Sequence, residues 1–256
     1  MLIIRRLTPL CTSLALFTIF ELYFFIPELF VLWLAALLLL LCVSILFLMG
    51  TRLITPWSRL RFLAAPVVLI ASAACFLLFV SQGSAAHFIA LGIAILIFLY
   101  LEHLFLYIWI HEHYAPFSLE YTTGAIALLS LFFASSALFA IHALLGVSSG
   151  FLVPVMTIVG FMIHAYIFWM NKFPLRANLP LLIVISFITA ELFWTISFLP
   201  VHFVLLGCLV TITDYAMLEI TRASLLKTLT RGILRRLLVL ASSLAILLLV
   251  TARWRL

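Results

Sequence analysis

The sequence is short of charge. Of its 256 residues only 9% are Asp, Glu, Lys or Arg, while 68% are hydrophobic. A soluble domain carries about 25% charged and about 45–50% apolar residues. No water-soluble fold hides this much apolar surface, which excludes a soluble enzyme, a nucleic-acid-binding domain and a disordered chain. The net charge of +6 is therefore no nucleic-acid footprint. Cysteine is scarce too. Cys11, Cys42, Cys75 and Cys208 lie far apart inside apolar stretches, without metal-ligand spacing, and suit small buried hydrophobes better than disulfide partners. The chain lacks a glycine-rich phosphate loop, a D-D-x-x-D cluster, and any run of loop acids and cations fitted to glycosyl or phosphoryl transfer. Arg5 and Arg6 precede an apolar run without a small-residue cleavage site behind it, so that run is expected to be a retained span rather than a signal sequence.

Long apolar runs are what the chain has in plenty. About 20 apolar residues cross a bilayer as a helix. Runs bounded by turn or charge signals predict nine spans, at 8–26, 28–50, 62–82, 87–110, 122–145, 149–170, 178–198, 201–220 and 237–253. Pro27 and Glu28 divide the apolar stretch 7–50, and Leu199, Pro200 and Val201 imply a second tight hairpin. Pro66 and Pro154 fall near span starts, where proline costs a helix least. The expected fold is an all-α, polytopic transmembrane helical bundle forming one integral membrane domain over 1–256.

Positive charge orients that bundle. With the N-terminus inside, twelve of the fourteen Lys and Arg fall on cytoplasmic segments: Arg5 and Arg6; Arg52, Arg59 and Arg61; Lys172 and Arg176; Arg222, Lys227, Arg231, Arg235 and Arg236. Arg253 and Arg255 fall outside with the C-terminus. The opposite orientation reverses the ratio, so N-inside and C-outside is the expected topology. Trp57, Trp109 and Trp169 fall at inner boundaries and Trp33 and Trp254 nearer the outer one, an ordinary aromatic belt. In the segment 222–236, Lys227, Arg231 and Arg235 recur every four residues while Leu225, Leu226, Leu229 and Ile233 take another face. This predicts a basic amphipathic helix on anionic inner-leaflet lipid, each cation adding about 1 kcal/mol near the surface. The plainer alternative is an extension of the neighbouring spans, with its cations placed by topology alone.

The acids are harder to place. Glu21, Glu102, Glu191 and Asp214 lie inside spans, with Glu219 near an inner end. A mid-membrane carboxylate costs several kcal/mol unless paired, protonated or solvated, and no Lys or Arg is available at that depth. Glu191 is the deepest, with Trp194 and Thr195 at i+3 and i+4 as expected donors. Asp214 in the next span is expected about 7–8 Å away in depth, close enough for the two to line one cavity. The functional reading is a proton or cation site; the plain one is a neutral carboxyl used as glue between helices. Glu219 has Arg222 as an i+3 neighbour.

His142 and His164 lie inside the fifth and sixth spans. Paired spacing for a haem is missing, and hydrogen-bonded packing is favoured. Glu102-His103 with His111-Glu112-His113 resembles a metal set by composition only, because H-E-x-x-H places its ligands one helical turn apart and these do not. A wet, pH-sensitive loop is the better reading. Gly146-Val147-Ser148-Ser149-Gly150 matches G-x-S-x-G by letter, but that motif needs an α/β sheet. Ser148 or Ser149 with His164 or His202 would be the serine-enzyme alternative to a flexible turn. No cofactor, metal or nucleic-acid partner is expected. Glu21-Leu22-Tyr23 before Pro27 echoes Glu191-Leu192-Phe193 before Pro200, which hints at repeated halves.

Glu191-Leu192-Phe193-Trp194, Ser197-Phe198-Leu199-Pro200, Asp214-Tyr215 before a basic segment, and the ending Leu249-Val250-Thr251-Ala252-Arg253-Trp254 resemble a family of uncharacterised polytopic membrane proteins of candidate-phyla bacteria. The resemblance covers mainly residues 120–256. It implies membrane location and topology and transfers no catalytic residue. The leading expectation is a non-enzymatic protein: a small-solute or ion-coupled carrier, or a membrane subunit that binds partners. The alternative is an intramembrane enzyme acting on lipid or lipid-linked substrates. A carrier should gather Glu191 and Asp214 at mid-membrane. An enzyme should instead gather Glu102, His103 and His111 at one interface.

Overall fold

A computed structural model describes residues 2–50, 56–80 and 83–252, with backbone alone at 2, 3, 56–60 and 111. Among the described residues are nine α-helices: α1 (Leu2–Phe25), α2 (Phe30–Met49), α3 (Pro56–Leu77), α4 (Ser84–Trp109), α5 (Ser118–Leu145), α6 (Ser149–Met170), α7 (Leu179–Ile196), α8 (Phe203–Leu225) and α9 (Arg231–Thr251). Short 3₁₀ turns follow α1 at Pro27–Leu29 and α4 at His111–His113. Eight of the nine are long and apolar enough to cross a membrane.

The ninth, α3, answers to the expected span 62–82: the helix runs Pro56–Leu77, its side chains are described from Arg61, and its described apolar part, Arg61–Leu77, ends five residues before the expected end. The helix stops because Phe79 N–H closes a turn on Phe76 O at 3.0 Å. The basic segment also differs from expectation. Residues 222–236 are not one helix: α8 runs to Leu225, Lys227 takes a left-handed φ of 55°, and α9 starts at Arg231. Thr228 and Leu229 N–H both turn back onto Ala223 O, and Thr230 Oγ1 caps α9 by accepting from Ile233 N–H at 3.3 Å. A β-branched threonine is a poor helix interior and a good cap, so the pattern of cations is outvoted by the threonines between them.

Contacts divide the chain into two compact units, 1–130 with 166–173, and 131–165 with 174–256. In the first, α1 packs on α2 and α4, and α2 on α3, around Leu16, Phe20, Leu41, Ile45, Tyr100 and Phe105, all fully buried. Polar ties run between these helices: Thr12 O–H donates to Ser44 Oγ at 2.8 Å, Tyr100 O–H to Phe62 O at 2.7 Å, and Trp109 Nε1–H to Leu48 O at 2.8 Å. Arg5 lies over the Trp109 ring at 4.2 Å and beside Gly50, whose φ of 54° and lack of Cβ admit the guanidinium. A cation there meets the carbonyl end of α2.

In the second unit α8 packs on α7 and α9. Phe139 of α5 stacks on Phe193 of α7 with centroids 4.4 Å apart. A Cβ at Gly207 of α8 would stand 1.9 Å from Ser136 Oγ and 3.1 Å from Ser136 Cα, so α5 and α8 cross almost backbone to backbone. α9 has no buried residue.

Candidate functional site, a buried histidine–aspartate pair

Asp214 occupies the middle of α8, eleven residues from either end, or about 16 Å of helix each way. The face of α8 that carries Gly207 also carries Asp214 seven residues on, and that face turns inward. Asp214 and His164 of α6 are both 0% exposed, and His164 Nε2 lies 3.1 Å from each carboxylate oxygen. Thr189 of α7 O–H donates to Asp214 Oδ1. Ser186, one turn before Thr189, lies with its Oγ 3.2 Å from His164 Nδ1. Gly160, one turn before His164, lies against the pair: a Cβ there would make ordinary contact at 3.8 Å with His164 Cε1 and with Thr189.

The hydrogen bonds assign the protons. Ser186 O–H donates to Leu182 O at 2.8 Å, so its oxygen is left to accept and His164 Nδ1 must carry a proton and donate. One further proton then lies between Nε2 and the Asp214 carboxylate. Imidazolium with carboxylate and imidazole with carboxylic acid both sum to zero charge, so either satisfies a site that water does not reach. Taking that proton away leaves a buried anion, and adding one leaves a buried cation. Both change the charge balance at a depth where charge is expensive. Thr189 has one hydroxyl proton and two acceptors, Asp214 Oδ1 and Ile185 O at 3.0 Å, and can follow the change.

Serine, histidine and aspartate in a line invite comparison with a nucleophilic triad. Ser186 is 1% exposed and its proton points to a helix carbonyl. The site lies between continuous helices whose amide protons are engaged in their own ladders, so it offers neither an accessible nucleophile nor oxyanion donors.

The other expected residues are scattered. Glu191 is exposed on α7, about 140° around the helix from Ser186 and 200° from Thr189 at 100° per residue. The expected cavity shared with Asp214 is therefore corrected: the two acids face opposite ways. Of its two expected donors, Thr195 goes elsewhere, its O–H bonding Glu191 O and Leu192 O of the main chain. Glu102 and His103 diverge. His103 Nδ1–H donates to Thr122 Oγ1 at 2.8 Å, Thr122 having spent its own proton on Ser118 O. The His111 side chain lies outside the described residues. His142 Nδ1–H donates to Val147 O at 2.7 Å, closing the turn after α5. Ser149 and His164 stand fifteen residues apart on one helix, about 22 Å, and His202 caps α8 by accepting from Val204 N–H. The serine-enzyme pairing is therefore excluded for Ser149 with His164. Among the described residues no group of three His, Cys, Asp or Glu could hold a metal ion.

Glu21 finds the partner that no Lys or Arg supplies. His87 at the start of α4 reaches both its oxygens at 2.9 Å. Glu219 pairs with Arg222 at 3.6 Å, as its spacing predicts. Arg231, Arg235 and Arg236 fall on the first turns of α9, with Arg222 and Lys227 across the preceding turn.

These features define a polytopic α-helical membrane protein with an acid–histidine pair buried in its second unit. The chain matches no protein-family model, no curated protein and no solved structure.

Proposed function

We propose that the protein is an ion-coupled carrier of a small solute, with His164 and Asp214 as its proton-bearing pair. The carrying observation is the pair itself, wholly buried at the midpoint of α8 and held by side chains from α6, α7 and α8. An apolar pair of the same volume would stabilise a static bundle as well or better. A pair that holds one proton between three helices links any relative movement of those helices to proton affinity. That linkage is what coupling requires. We further propose nine crossings with the N-terminus inside and the C-terminus outside, supported by the twelve-to-two distribution of cations. We place it in a bacterial cytoplasmic membrane, following the resemblance drawn from the sequence of residues 120–256. Arg222, Lys227, Arg231, Arg235 and Arg236, gathered around one turn, suit anionic headgroups of the inner leaflet.

The test is reconstitution into liposomes containing a pH-sensitive dye, followed by addition of amino acids, sugars and inorganic cations one class at a time. Wild type should move protons with one class, while Asp214→Asn and His164→Gln should abolish that movement and remain folded. Solute-driven proton movement that survives in Asp214→Asn removes the pair from the mechanism.

A further inference from the structure

We propose that the outward face of α7 is the seat of a second copy of this chain, the two joined through Glu191. Val184, Phe187, Ile188, Trp194 and Phe198 make this face apolar and exposed, and Glu191 sits at its centre, likewise exposed. Among the described residues nothing hydrogen-bonds the Glu191 carboxyl, and the Trp194 indole N–H has no acceptor; its ring leans on Phe198. A lone carboxyl and a lone N–H donor one turn apart on a hydrocarbon-facing helix are costly, and the cost falls when another helix brings complementary groups.

The chemistry of the face selects the occupant. A carboxyl that accepts and an indole N–H that donates, one turn apart on one face, are complementary to their own image. A two-fold axis along the membrane normal sets two α7 helices side by side and parallel. Each Trp194 N–H then lies beside the opposite Glu191 carboxyl. Such an interface is self-complementary and closed, needing no further protein. The helix without buried residues, α9, offers no such code: its Ser242, Ser243 and Thr251 all spend their protons on carbonyls of their own helix. The proposal is independent of the buried pair, which faces the other way.

The test measures self-association of the full chain in liposomes by energy transfer between donor- and acceptor-labelled copies, over a range of protein-to-lipid ratios. Wild type should associate as a dimer. Glu191→Leu, well tolerated on a lipid-facing position, should weaken association by about 3- to 30-fold. Glu191→Gln, whose amide oxygen still accepts from the opposite Trp194 N–H, should associate nearly as well as wild type. A wild type that stays monomeric at every ratio leaves this face to lipid or to another protein and overturns the proposal. So does a Glu191→Leu protein that dimerises as tightly as wild type.

Discussion

At the scale of single residues, Ser186 settles the protonation of His164, and that makes the buried pair testable without knowing a substrate. Because Nδ1–H is fixed by Ser186 Oγ, an amide at position 214 can still donate to the free Nε2 while its oxygen accepts from Thr189. Asp214→Asn should therefore cost about 1 kcal/mol or less. Asp214→Leu strands Nε2 in a dry site and should cost about 2–3 kcal/mol more. Thermal unfolding of the detergent-solubilised protein checks this order, and equal stability of the two variants would mean the pair holds nothing together. A second residue reports on pH. Burial pushes the Tyr114 phenol above its ordinary value of 10.0, and the Glu120 carboxylate adds to the rise, against Leu119 N–H, which lowers it. Tyr114 O–H donates to Glu120 Oε2 at 3.0 Å. A raised value in the folded state means a proton held there that the unfolded chain gives up. The stabilisation is thus complete below about pH 10 and is lost as pH climbs through the folded value. Protease cleavage in the connection between α4 and α5 should stay low up to about pH 10 and rise above it in wild type. In Tyr114→Phe it should be higher at neutral pH and flat across that range.

At the scale of elements, the crossing of α5 and α8 is the tightest point of the second unit, and Gly207 makes it. A methyl there meets the Ser136 backbone Cα at 3.1 Å as well as its hydroxyl, so rotation of the serine cannot relieve it. Gly207→Ala should cost about 1–3 kcal/mol, and Ser136→Ala should rescue only part of that loss. Ser136→Ala alone should be neutral or mildly stabilising, since its buried hydroxyl has no partner among the described residues. Stability of the four proteins in one detergent gives the cycle. Full rescue by Ser136→Ala would show that only the hydroxyl is in the way. The turn between α8 and α9 teaches a related lesson. The four-residue recurrence of Lys227, Arg231 and Arg235 fits a helix, but periodicity says where a helix could lie, not where it is interrupted. Thr228 and Thr230 interrupt it, and the signal was present as two β-branched residues with good capping chemistry.

At the scale of the whole molecule, reporter fusions test the orientation. Fusions after Gly83 and Val147 should report the outside and fusions after Arg59 and Arg176 the inside. A cytoplasmic signal at Gly83 would reverse the proposed topology, and a cytoplasmic C-terminus alone would change the count of crossings. The membrane class and the positions of nearly all helices were legible because a bilayer imposes a one-dimensional rule: about 20 apolar residues per crossing, with punctuation between them. α6 was placed to the residue and α2, α4 and α7 within three at either end, since proline, glycine and charge act locally. The Glu219–Arg222 pair was legible for the same reason, both partners lying on one helical turn. What the sequence left open were partnerships across helices. Glu191 and Asp214 are both acids in neighbouring spans, and hydropathy weighs them alike. Which one turns inward depends on how α7 rotates about its axis, and that is set by Phe193 stacking on Phe139 and by Ser186 and Thr189 facing α6 and α8. His164 and Asp214 are fifty residues apart, and no local spacing joins them. Composition determined that the chain is a membrane protein built of long apolar helices; only the close approach at Gly207 and the rotation of each helix decided which polar groups meet.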